Sequence, residues 1–270
     1  MAVERSHADA VVRLVARGAV FLVEGDGGLA DAAPAASVRR VPVSDRATAG
    51  VAVGMALAGR PVVVEVADSG RLAAITEVLS EAGRFGARGA LPALWWVPVG
   101  GDVGLDRPCL DALVGIDGLQ VWCASDTADV AALADDALAS GRPTVLLVSR
   151  RLEEAGGEVV AGVGRRYGSG GRLTLVAVGE AVAAARAVAD GVEGIEVVAL
   201  THLEGRGALG ARVRASGRLV VAVPPGEESF GRRLVQECLG EAFLYLESPP
   251  AVCAGEAAVV RGAVMASLDY

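Results

Sequence analysis

The sequence predicts an α/β protein built from two open, mostly parallel α/β domains, and three observations predict it. Short runs rich in Val and Leu alternate with Ala-rich stretches of helical length, the rhythm of strands joined by right-handed helical crossovers. Several of these runs are apolar at every position rather than every second one, as strands covered on both faces are. The rhythm breaks once, at Leu152–Arg172, where glycine and charge dominate, and then resumes.

Taken in order, the first half predicts strands at Val20–Val23, Val38–Val43, Pro61–Ala67, Pro92–Val99, Leu119–Ala124 and Pro143–Val148. Helices fall between them at Ala8–Ala16, Asp45–Leu57, Leu72–Gly83, Cys109–Val114 and Thr127–Leu138. In Pro92–Val99 the pair Trp95–Trp96 should put one indole into the core by alternation. Leu-Glu-Glu-Ala-Gly-Gly-Glu and Arg-Arg-Tyr-Gly-Ser-Gly-Gly-Arg then suit an interdomain linker over 152–172. Beyond it, strands are expected at Leu173–Val178, Ile195–Leu200, Arg218–Val223 and Ala242–Glu247. Helices are expected at Glu180–Ala189, Ala208–Ala215, Ser229–Leu239 and Glu256–Ser267. The domains are therefore expected at 1–151 and 173–270.

Composition narrows the chemistry. The 270 residues carry 25 basic and 33 acidic side chains, a formal charge of −8. Phosphate neutralisation needs a clustered basic face, whereas Arg39–Arg40, Arg150–Arg151 and Arg165–Arg166 are isolated pairs; a nucleic-acid partner is not expected. Mean hydropathy is +0.46, yet the longest apolar stretches, Val51–Gly59 and Ala90–Gly100, fall short of the ~20 residues a bilayer span needs. With no leader pattern at Met1–Ser6 and no zinc-type or paired spacing among Cys109, Cys123, Cys238 and Cys253, a cytoplasmic protein is expected. Every basic residue is Arg, and Asn is missing altogether. Without Lys there is no P-loop lysine and no Schiff base.

Several motifs admit two readings. Gly25-Asp26-Gly27 follows a strand and could cradle a phosphate, but a tight turn explains it as well. Gly205-Arg-Gly-Ala-Leu-Gly210 matches the GxGxxG fingerprint of NAD-binding proteins, although Thr201–Glu204 separates it from the strand that should carry it. There is no GxSxG, and His7 and His202, the only imidazoles, are expected at the surface. Asp45 stands after Ser44 at a strand end and opens a helix. It is either a first-turn carboxylate favoured by the helix dipole or a functional group.

A longer pattern carries more. The run Val41-Pro-Val-Ser-Asp-Arg-Ala-Thr-Ala-Gly-Val-Ala-Val-Gly-Met-Ala-Leu-Ala-Gly-Arg-Pro-Val-Val-Val-Glu65 resembles the pyrimidine-binding domain of transketolases and of the beta subunits of 2-oxo-acid dehydrogenases. Gly101-Asp102 through Asp111, Ile116-Asp-Gly-Leu-Gln-Val121 with Ala124-Ser-Asp126, and Pro143–Leu152 continue the likeness. Leu173–Gly179, Gly217–Val221 and Phe230-Gly231 are similar to the transketolase C-terminal domain. The resemblance thus runs colinearly over nearly the whole chain and implies two domains of the transketolase type.

What it implies functionally is a beta-type half of a split, thiamine-diphosphate-dependent enzyme transferring a two-carbon ketol or acyl unit from a small-molecule substrate. An alpha-type partner carrying Gly-Asp-Gly…Asn would hold the diphosphate and Mg²⁺, in an α2β2 arrangement. This chain, lacking Asn, would hold the aminopyrimidine. The resemblance places Asp45 and Asp106 in catalysis; Asp45, Ser69 and Arg71 beside the cofactor; and Asp102 and Asp111 beside the substrate. It assigns no metal ligand to this chain. The sequence also departs from the family: Asp45 stands for Glu, Asp106 for His, Asp68-Ser-Gly-Arg71 for aromatic residues, and Thr201-His202 for Arg-Thr. These departures leave a second reading, a non-catalytic scaffold or regulatory partner, and the Gly205–Gly210 fingerprint leaves a third, an NAD-binding protein.

Overall fold

The computed structural model describes residues 2–24, 28–42, 44–100, 110–150, 152–154, 156–204 and 209–270. The chain divides into two compact units, Met1–Ala155 and Gly156–Tyr270.

In the first unit the order is α1 (Ala2–Ala16), β1 (Val20–Val23), α2 (Leu29–Ala32), β2 (Val38–Arg40), α3 (Asp45–Leu57), β3 (Val62–Glu65) and α4 (Leu72–Gly86). It continues through β4 (Ala93–Val99), α5 (Leu110–Val114), β5 (Gln120–Cys123), α6 (Thr127–Ala139) and β6 (Thr144–Ser149). The six strands described form one sheet in the order β2-β1-β3-β4-β6-β5. Every pairing is parallel.

The uninterrupted apolar runs are explained by helices on both faces. Ala93–Val97 of β4 is buried throughout, so Trp95 and Trp96 are both core residues, at 0% and 2% exposure. The expectation that one indole alone would be inside assumed a solvated face, and this strand has none. Trp96 packs with Phe21, Leu146, Leu133 and the inner face of α1. His7 of α1 joins that face, its ring meeting Trp96 edge-on at 5.1 Å between centroids. It is therefore half-buried, not the surface residue expected. Burial lowers its pKa below 6.5, with Glu4 opposing weakly.

The second unit contains β7 (Glu158–Val160), β8 (Gly164–Tyr167), β9 (Leu173–Val178), α7 (Ala181–Ala189), β10 (Ile195–Leu200), α8 (Leu209–Ser216), β11 (Leu219–Val223), α9 (Glu228–Ala242), β12 (Ala251–Ala254) and α10 (Ala257–Leu268). Its sheet runs β12-β11-β9-β10-β8-β7; the first four strands are parallel, and β8 and β7 are antiparallel additions.

Two expectations are corrected here. Much of 152–172, read as a linker, forms the β7–β8 hairpin, whose Arg165 is 9% exposed and donates to the carbonyls of Gly156 and Gly157. The charge there is structural: it ties the start of the unit to the sheet. Ala242–Glu247 is not a strand. Helix α9 runs on to Ala242 and a 3₁₀ turn follows over Phe243–Tyr245, while the expected fourth strand lies at Ala251–Ala254. Phe243, Leu244 and Tyr245 are 67%, 88% and 49% exposed, so an apolar run here does not mark a buried strand.

Candidate active site

Strand order locates a candidate site. From β1 the chain moves outward to β2, then returns to lay β3 on β1's other side. The order reverses at the β1/β3 boundary, and in open α/β sheets ligands bind beyond the carboxyl ends of the strands at such a point. Three segments meet there: Glu24 follows β1, the 3₁₀ turn Ser69–Arg71 follows β3, and Ser44 leads into α3.

Arg71 is the centre of the cluster. Its Nη1 donates to Asp45 Oδ1 at 2.9 Å and to Glu24 Oε2 at 3.4 Å, and its Nε lies 3.7 Å from Asp68 Oδ2. The hydrogen bond to Asp45 is the chief cause that raises the Arg71 pKa; the charges of Asp45, Asp68 and Glu24 act in the same direction. Glu24 is the better buried acid, its side chain 10% exposed against 26% for Asp45. Glu24 Oε1 accepts from the Ser44 N–H at 3.0 Å and from the Thr48 hydroxyl at 2.5 Å. Ser44, the residue before the helix, makes no side-chain cap of its own. The carboxylate that follows β1 therefore caps α3.

The start of α2 is tied to the end of β3. Glu65, at the end of β3, accepts from the Leu29 N–H with both oxygens, at 3.1 and 3.0 Å. Gly28 turns there with φ +73°, and a Cβ on it would overlap the Glu65 carboxylate. Both the conformation and the space demand glycine.

Of the residues assigned by resemblance, Asp45 and Arg71 are brought together. Ser69 is 4% exposed, buried in the turn that carries Arg71. Asp111 sits in the first turn of α5, and the ion pairs around Arg71 are formed without it. Asp102 and Asp106 lie outside the described residues, as do Gly25–Gly27, Cys109 and Gly205–Ala208. The described end of the GxGxxG match, Gly210, is buried in α8 where a Cβ would meet the Glu241 side chain of α9, so it serves helix packing. Glu24 and Thr48 were missed in sequence. The one available signal was an acid directly after a buried strand.

The second unit holds a cavity of about 450 Å³ lined by Arg166, Ser169, Thr174, Glu196, Arg212 and Ser216. Its charges are internally matched. Arg166 and Arg212 converge on Glu196, Arg166 also pairs with Glu158, and the Thr174 and Ser216 hydroxyls bond each other at 2.9 Å.

The fold is shared with solved structures. A split-gene transketolase, described as an inactive β4 tetramer, superposes with a TM-score of 0.75 at 20% identity, covering 99% of this chain and 98% of that one. The chain has a transketolase-type fold. The 2-oxoglutarate:ferredoxin oxidoreductase of Magnetococcus marinus, solved with 2-oxoglutarate, coenzyme A and succinyl-CoA, gives a TM-score of 0.69 at 12% identity over 97% of this chain. Transketolase from Campylobacter jejuni subsp. jejuni gives 0.66 at 13% over 92%. The chain spans 64% and 41% of those two proteins, respectively, but nearly all of the split-gene one. No protein-family model matches the sequence, and no curated protein is similar to it. Among the described residues, no helix is long and apolar enough to cross a membrane.

Proposed function

We propose that this chain is the beta-type component of a split transketolase-like enzyme. With an alpha-type partner it would transfer a two-carbon ketol or acyl unit, using thiamine diphosphate. The observation that carries the reading is Asp45, a partly exposed carboxylate at the β1/β3 switch point. It stands at the position where the resemblance expects the cofactor-activating acid, in a chain whose fold matches a split-gene transketolase end to end.

The residues present fit one end of the cofactor. Asp45 Oδ1 takes the Arg71 hydrogen bond, leaving Oδ2 to accept. A carboxylate has room for about four hydrogen bonds, and the Asp45 side chain is 26% exposed. The free Asp45 oxygen suits an aminopyrimidine, and the resemblance assigns the Mg²⁺-diphosphate to a partner chain in an α2β2 arrangement.

When bound, thiamine diphosphate supplies a carbon nucleophile at C2. Asp45 Oδ2 would hold the proton shared with N1′ of the aminopyrimidine, which is acid–base work done through the cofactor. Arg71, bonded to Oδ1, restrains the Asp45 carboxylate. Because Asp is one methylene shorter than Glu, the reach of Asp45 depends on where the first turn of α3 sits.

The test is co-expression with an alpha-type chain carrying Gly-Asp-Gly…Asn, followed by NMR of hydrogen–deuterium exchange at C2 of thiamine diphosphate. Exchange that Asp45→Ala abolishes supports the reading; exchange indifferent to that change sinks it. One observation favours a second reading, a non-catalytic partner subunit: the acid at this position is Asp, one methylene shorter than the Glu of the family. That reading predicts a stable complex with no C2 exchange.

A further inference from the structure

We infer that Glu24 is the positioning residue of this site: it sets the place of Asp45 by holding the amino end of α3. The inference rests on the reading of Asp45 given above and names a residue that reading does not use.

The first turn of a helix leaves backbone N–H groups without intrahelical partners, and here the usual remedy is missing. Ser44 makes no side-chain cap. Its own N–H, immediately before Asp45, is bonded instead to Glu24 Oε1 at 3.0 Å, and the same oxygen takes the hydroxyl of Thr48 one turn further on, at 2.5 Å. Thr48 is 3% exposed. One carboxylate oxygen therefore pins both ends of the turn on which Asp45 stands. The anchor is firm: Glu24 follows directly on β1, whose four residues are all buried, and its side chain is 10% exposed.

The other oxygen, Oε2, faces Arg71 Nη1 at 3.4 Å, the nitrogen that bonds Asp45 at 2.9 Å. Glu24 thus reaches Asp45 by two routes, through the helix it caps and through the guanidinium they share. Both routes act through other residues, Ser44 and Thr48 on one side and Arg71 on the other, and neither requires Glu24 to touch the cofactor.

Amide hydrogen exchange of the free chain reads the cap without any cofactor. Glu24→Ala is expected to raise exchange at Ser44 by about tenfold or more, since the amide loses its only acceptor among the described residues. Glu24→Gln, whose amide oxygen can still accept, is expected to keep Ser44 protected. In the assembled pair, Glu24→Ala should slow C2 exchange by about 10²-fold, the cost of a ~1 Å misplacement, with cofactor stoichiometry unchanged. Gln keeps the Ser44 acceptor but presents its NH2 to Arg71, so it should restore part of that rate. Thr48→Val, which leaves the Ser44 bond in place, should slow it less than Glu24→Ala does. Ser44 exchange unaltered by Glu24→Ala overturns the inference, and so does a Gln variant as slow in C2 exchange as the Ala one. A wild-type pair that performs no C2 exchange, with Ser44 still protected through Glu24, overturns the proposed function and leaves the cap standing.

Discussion

Arg71 donates to Asp45 at 2.9 Å while the same nitrogen faces Glu24 at 3.4 Å, so a single guanidinium joins two acids that the chain places 21 residues apart in sequence (45 − 24 = 21). With Asp68 at 3.7 Å, three carboxylates share one cation. Its Nη1 and Nε are turned toward the protein's own carboxylates.

Replacing Arg71 by Ala should therefore uncover repulsion between Asp45 and Glu24 without unfolding the unit. The Arg71 side chain is 36% exposed, where solvent screens such pairs to about 0.2–1 kcal/mol. Urea unfolding should show a loss within that range that shrinks in high salt. A loss insensitive to salt would mean that Arg71 acts by packing.

Gly28→Ala should cost about 1–3 kcal/mol. The new Cβ combines a positive φ of +73° with overlap on the Glu65 carboxylate, which holds the Leu29 N–H. Urea midpoints compare the variant with wild type. A neutral result would show that the loop relaxes freely away from β3.

His7 makes stability depend on pH in a defined direction. Its folded pKa lies below 6.5, chiefly through burial against the first unit's core. The unfolded chain thus takes up the proton first as pH falls. Stability from this group is complete above pH 6.5 and declines as pH drops from there through the lower folded value. Urea midpoints for wild type and His7→Gln between neutral and acidic pH should diverge in slope over that window. Equal slopes would remove His7 from the account.

Leu244→Ser and Phe230→Ala form a contrasting pair. Leu244 is 88% exposed and Phe230 fully buried. The first change should stay within about 0.5 kcal/mol and the second should cost about 3–5 kcal/mol, read from chemical denaturation of the whole chain. A costly Leu244→Ser would mean that the 3₁₀ turn is covered in solution.

The parts of this molecule legible in sequence are those whose signal is local. Asp45–Leu57, Leu173–Val178 and Ile195–Leu200 have the expected bounds to the residue. Each is a run of one periodicity between clear breaks. Asp45 was visible as an acid opening a helix, and Arg71 only through the resemblance, as part of Asp68-Ser-Gly-Arg71 in place of aromatic residues. Their pairing was not, because it depends on how β1 and β3 align their ends. The same holds for Glu24, whose partners Ser44, Thr48 and Arg71 lie 20, 24 and 47 residues away. His7 was misplaced because its burial comes from Trp96, 89 residues on (96 − 7 = 89). Ala242–Glu247 failed for the opposite reason: an apolar run suggested burial that the end of α9 does not provide.

The β7–β8 hairpin also decides where the second unit can be cut. Strand β10 pairs with β8 on its outer side through Val197–Leu200, and β7, only three residues long, ends the sheet. Open strand edges template aggregation, and short terminal strands bearing charge suppress it. Glu158 on β7, paired with Arg166, supplies such a charge. A fragment begun at Arg172, where the parallel strands start, would leave β10 bare and prone to self-association. A fragment begun at Gly156 carries its own guard strand.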